Sequence, residues 1–241
     1  MEDFPKYGAP DDDPALIELW LLHLADSALP IGAFAHSFGV ETLVMGGLLR
    51  VSDLQDFLRA WLEEAGVAEG VFCRAAWRLA MQRVFPTRDW INLNDALGAL
   101  KMARENRNGS AVLGSNFLKA AIAVCNRDPL QEATGEARRT SAAVHHACAF
   151  GLVSGALHFE EDRAVGAYLH QSVAGLISAC QRLMPLGQTR AQQILWDLKP
   201  SIVESARSSV DFATEDVCCF LPMLDWGAME HPELFTRLFI S

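Results

Sequence analysis

The sequence predicts an all-α, single-domain bundle of roughly eight to ten helices. Two observations carry that expectation. Apolar residues recur three and four positions apart through most of the chain, and no segment shows the period-two alternation of a half-buried strand. No fixed-period repeat and no linker rich in Pro, Gly or Ser divides the chain.

Taken in order, Asp13-Pro14 has the form of an N-cap with proline at the first helical position. Leu16, Ile17, Trp20, Leu21 and Leu24 follow at helical spacing, so a first helix covers about 14–25. The stretch ADSALPIGAFAHSFGVE at 25–41 has no clean period. Pro30 and Gly32 are expected to shape a turn in it, with Leu29, Ile31 and Phe34 as anchors in the core. Ser52 and Gln55 have the spacing of a capping box. Behind them Leu54, Phe57, Leu58, Trp61, Leu62 and Ala65 form a stripe on a helix that runs on past Gly66 to about Gln82.

Pro86-Thr87 breaks the pattern, and Leu93, Ala96, Leu97, Leu100 and Ala103 restart it. The run NRNGS at 106–110 predicts a turn or a weakened join before a helix carrying Leu113, Phe117, Leu118 and Ala121. Asp128-Pro129 opens another segment. Ala142 to Leu157, rich in alanine with Gly151 and Gly155, suits a buried central helix packed closely by its neighbours. Tyr168 to Leu183 is helical by pattern, and MPLG at 184–187 interrupts it. Gln188 to about Ser208 resumes with Ile194, Leu195, Leu198, Ile202 and Val203 on one side.

Composition bounds the function. Hydrophobic residues are 51% and charged ones 21%, which is globular; only the acidic start, residues 1–13, is expected to be disordered. That start has neither a basic n-region nor a long apolar core, so a cytoplasmic protein without a secretory signal is expected, and no apolar run is long enough to span a membrane. A net charge of −10 without a Lys/Arg cluster disfavours nucleic acid as a partner. The six cysteines have no CxxC spacing and are expected to be buried thiols, Cys218 and Cys219 included.

Motifs that would carry catalysis are missing: no GxxxxGK[ST], no GxGxxG, no HExxH and no Gly-x-Ser-x-Gly occurs. His146, His158 and His170 recur every twelve residues, which does not give the i, i+4 pair of a helical metal site. Histidines without a ligand role are the expected reading, with no stable metal or cofactor site. The alternative is a small helical enzyme whose pocket gathers His36, Glu41 and His146.

Five segments carry a family resemblance. LLHLADSALPIGAFAHSFGVE at 21–41 resembles the N-terminal motif of the urease accessory protein UreF family. ARENRNGSAVLG at 103–114, HACAFG at 146–151, SACQRLMPLGQTRAQQIL at 178–195 and the terminal HPELFTRLFIS are similar to further blocks of that family, in family order. The resemblance implies an all-α, homodimer-forming scaffold over 14–229 with a C-terminal tail, 230–241, ordered by a partner. It implies no catalysis of its own. It places such a protein between UreD (also called UreH) and the GTPase UreG, recruiting and regulating the GTPase while nickel is delivered to apo-urease; nickel is cargo of the complex.

Site residues follow from the same resemblance. Glu41 is expected to present charge to a basic partner surface, or to act as a helix-start carboxylate. Arg182 is implied in engaging the GTPase, and Gln188 either caps locally or bonds across an interface. Arg237, Leu238, Phe239 and Ser241 belong to the tail that folds against UreD, with Leu238 and Phe239 as apolar anchors. Departures from the family pattern fall at Ala33, Phe38, Val40 and Ile240; a glycine-like φ at position 33 would strain the alanine.

Overall fold

The computed structural model describes residues 13–241, so the acidic segment apart from Asp13 lies outside the described residues. Among the described residues the chain is helical and contains no strand. The helices are α1 (Pro14–Leu24), α2 (Val40–Met45), α3 (Leu54–Trp61), α4 (Val67–Ala80), α5 (Thr87–Leu100) and α6 (Arg104–Cys125). They are followed by α7 (Asp128–Thr140), α8 (His146–Ala156), α9 (Glu161–Leu183), α10 (Gln188–Asp197), α11 (Lys199–Ser208) and α12 (Pro222–Glu230). A π-helical turn, Leu62–Gly66, makes α3 and α4 one rod, and α10 meets α11 at Leu198. None of the helices is long and apolar enough to cross a membrane.

The alanine- and glycine-rich segment becomes α8, every residue of which is buried. It is the axis of the bundle, with α4, α6 and α9 packed around it. A Cβ on Gly151 would stand 2.0 Å from the carbonyl oxygen of Cys73, and one on Gly155 would stand 2.5 Å from that of Trp77. Small residues here let α4 and α8 approach backbone to backbone, so Phe72, Phe150, Leu152 and Val153 close the core around them. The start of α8 is satisfied from outside its own helix. Asn94 Oδ1 accepts the His145 N–H at 2.8 Å, and Ser110 Oγ accepts that of His146 at 3.4 Å.

A buried cation ties the rods together. The Arg74 guanidinium, 2% exposed, donates to Asp162 at 2.5 Å, to Ser209 Oγ at 2.8 Å and to the Ala206 carbonyl at 2.6 Å. One side chain thus joins α4, the first turn of α9 and the end of α11.

Local expectations hold at several boundaries and fail at others. Asp13 Oδ1 accepts the Ala15 N–H at 2.9 Å as an N-cap, and Gly32 takes φ 88° in the turn after α1. The capping box does not form, because α3 begins after Asp53, whose carboxylate accepts from Ser52 Oγ rather than from the helix. NRNGS is not a turn. It lies inside α6, and the break falls earlier, at 101–103. Phe34 is 54% exposed rather than an anchor, while Ile31 is buried. Cys218 is exposed, and Cys219 only partly buried, because the segment between α11 and α12 runs over the surface.

Candidate functional site

Two adjacent features concentrate the polar chemistry. The first begins where the 25–41 stretch ends. Phe38 and Gly39 both adopt left-handed backbone conformations, with φ 52° and 92°. The chain therefore turns sharply before α2. Gly39 is needed there twice, since its Cβ would also lie 2.6 Å from the Leu224 carbonyl of α12. Ala33, in contrast, sits in a short 3-10 turn and is not a positive-φ residue, so the strain expected of it does not arise.

The turn drops Glu41 into the interior at the first turn of α2. It is 2% exposed, so it is not a presented charge. Its Oε2 lies 2.8 Å from His231 Nε2 and accepts the Phe239 N–H at 3.1 Å, while Oε1 accepts the Leu238 N–H at 2.6 Å. The other ring nitrogen of His231 lies 2.7 Å from Glu105 Oε2, on α6. A neutral imidazole has one N–H; only the doubly protonated ring donates to both carboxylates at once. Arg237 adds a cation 4.0 Å from Glu105.

The last residues complete this latch. Ile240 N–H donates to the Ala35 carbonyl at 2.8 Å, and the Ser241 carbonyl accepts from the backbone of Ser37 and Phe38. His36 Nδ1 lies 2.6 Å from Ser241 Oγ; burial pushes the His36 imidazole below its ordinary pKa despite the Glu105 charge. Gly109, the glycine of NRNGS, has its reason here. A Cβ on it would press on Phe38, His36 and Ser241 at 3.0–3.1 Å.

The expected site residues divide accordingly. Phe239 is buried, with the Arg182 guanidinium 4.2 Å above its ring, and Arg182 also donates to the Phe34 carbonyl. Leu238 faces outward at 53% exposure, as does Arg237. Gln188 is exposed at the start of α10 and accepts from Gln181 Nε2 at 2.7 Å, bridging the MPLG break. Nothing in their local sequence marks His231 and Glu105 as partners, although both lie inside the segments that carry the resemblance.

The second feature is a cavity of about 140 Å³ beside the latch. His36 and His146 line it, but Glu41 does not, so the trio imagined for a helical enzyme is not assembled. Glu69 takes the carboxylate's place. It pairs with Lys101 and accepts from Tyr168 Oη at 2.6 Å. Burial works against the Glu69 charge, yet Lys101 and Tyr168 outweigh it and hold its carboxyl below the usual range. Burial also takes His145 and His146 down to about 4, so both are neutral at pH 7. Among the described residues no group of three or more His, Cys, Asp and Glu is arranged to hold a metal ion.

This geometry accompanies a clear family match. The UreF family model matches residues 50–199. The chain belongs to the UreF family. It is 31% identical to the urease accessory protein UreF of Bacillus sp. (strain TB-90), over 92% of this chain and 98% of that one. It is 33% identical to the UreF of Microcystis aeruginosa, over 92% and 97% of the two chains. The UreF model thus spans α8 and the Arg182 region, and the longer alignments extend to nearly the full length of both chains.

Proposed function

We propose that this chain is a urease accessory protein that works as a non-catalytic, homodimeric scaffold in the cytoplasm. In this reading it joins UreD/UreH to the GTPase UreG, recruits and regulates that GTPase, and so assists nickel insertion into apo-urease. Nickel is cargo of the assembly. Neither nucleic acid nor a membrane takes part.

The observation that carries the reading is the latch. Glu41 holds the backbone of Leu238 and Phe239 from inside, which leaves Leu238 and Arg237 directed outward as apolar and charged contacts for a partner. Arg182 and Gln188 lie on the neighbouring exposed surface and serve the GTPase contact. Ser241 and Phe239 act from the inner side by fixing the tail's path. Family membership supports the urease pathway.

Deleting 233–241 tests the tail role. Capture of purified UreD by the truncated chain is expected to fail while the helical circular dichroism persists; retained capture removes the tail from the interface. Leu238→Asp provides a version with the latch intact and is expected to weaken capture at least about tenfold.

A further inference from the structure

We propose that the cavity beside the latch is a binding site for a small organic ammonium ion, a primary amine on a short apolar body. The inference goes beyond the scaffold reading and does not rest on it. The cavity is lined by side chains from α3, α4, α5, α6, α8, α9 and α12 and from the 25–41 segment, so it lies at the centre of the bundle's polar chemistry.

The hydrogen-bonding capacity left over on its walls decides the ligand. His146 Nε2, Gln171 Oε1 and Asn106 Oδ1 are buried atoms with no hydrogen-bond partner among the described residues, and all three residues line this cavity. His146 and Gln171 are each only 8% exposed. A buried polar atom left unpaired costs roughly 1–3 kcal/mol, so three around one space favour a ligand that satisfies them. Two of the three are amide oxygens, which only accept, and burial keeps the His146 ring neutral and able to accept. A ligand that donates, with the His146 proton on Nδ1, satisfies all three at once.

Charge sharpens the class. The charged residues on the walls are Glu69 and Asp225 against Lys101, a balance of one negative charge. Lys101 is committed to Glu69, whereas Asp225 forms no ion pair among the described residues. A carboxylate or phosphate would meet that surplus with the cation already engaged. Trp61, Leu97, Leu113, Leu176 and Leu224 supply apolar wall for a short hydrocarbon body, and the Trp61 ring suits a cation.

Titrating the full chain with n-butylammonium, followed by amide NMR shifts and calorimetry, tests this. The expected result is a saturable, localised shift in the segments around Glu69, Asn106, His146 and Gln171. Tetramethylammonium, which has no N–H, and n-butyrate, which has the wrong charge, are expected to leave those signals in place. Gln171→Leu and Asp225→Asn are each expected to weaken n-butylammonium binding at least about tenfold. Asp225 is only partly buried, so its variant keeps the test open if the Gln171 variant does not fold. The proposal is overturned if n-butanol or n-butyrate shifts the same signals equally, if no saturation occurs, or if a crystal structure soaked in n-butylammonium holds only water there.

Discussion

His231 Nε2 lies 2.8 Å from Glu41 Oε2, joining residues 190 positions apart in sequence. The same carboxylate takes two backbone N–H groups of the tail, so one buried charge closes the C-terminal end of the chain onto the start of α2. Glu41 thus holds the backbone at Leu238 and Phe239, while Ala35, His36 and Ser37 hold Ile240 and Ser241.

Glu41→Gln removes the charge from this arrangement while keeping its size. Breaking a buried pair while one partner remains costs about 3–5 kcal/mol, and here the loss is expected locally, in tail docking. Hydrogen exchange at Leu238 and Phe239 and tryptic cleavage after Arg237 are both expected to speed up. Unchanged exchange would show that His36, Ala35 and Ser37 hold the tail without Glu41.

Gly151→Ala places a methyl where only 2.0 Å separates the new Cβ from the Cys73 carbonyl. The rods α4 and α8 must separate, at a cost of about 3 kcal/mol or more in urea denaturation. Gly135→Ala is the counterpart: it lies in the exposed part of α7 with nothing within 4 Å of its Cβ. Helix propensity alone is expected to raise stability there by about 0.5–1 kcal/mol.

Stability is expected to fall between pH 7 and pH 5. Burial holds His145 and His146 at about 4 in the folded protein against 6.5 when unfolded, so the unfolded chain binds more protons across that window. Each contributes stability that is complete above 6.5 and declines as pH falls toward 4, a loss on the order of 2 kcal/mol per residue at pH 5. Glu69, held below its ordinary range, acts with the same sign at lower pH. Urea midpoints measured at the two pH values check this, and His146→Leu is expected to remove about half of the difference.

Arg182→Ala removes the cation 4.2 Å above the Phe239 ring and the bond to the Phe34 carbonyl. Global stability is expected to change by no more than about 1 kcal/mol, because the guanidinium is exposed. Capture of UreG by the scaffold complex is expected to fall far more, at least about tenfold, in pull-downs at fixed salt. Equal losses of folding and capture would reduce Arg182 to a support for the tail.

The helices themselves were legible. Asp13-Pro14, Pro86-Thr87, Asp128-Pro129 and the MPLG break mark real boundaries, because capping and proline chemistry act within a few residues. The small residues of α8 announced its burial for the same local reason: a helix without bulk can sit only where neighbours come close. NRNGS misled because Gly109 and its neighbours satisfy a distant contact. Local propensity reads Asn and Gly as a turn, whereas the space needed by Phe38, His36 and Ser241 is a tertiary demand.

The sequence by itself determined an all-α chain, its main breaks, its central small-residue helix and, through five ordered motifs, its family. Only the tertiary structure decided that Glu41 faces inward, that His231 bridges it to Glu105, and that Glu69 replaces it on the cavity wall. The physical reason is range. Helix periodicity and capping are set by neighbours along the chain, but the direction of a carboxylate after a left-handed turn at Phe38-Gly39 depends on where α12 and the tail arrive.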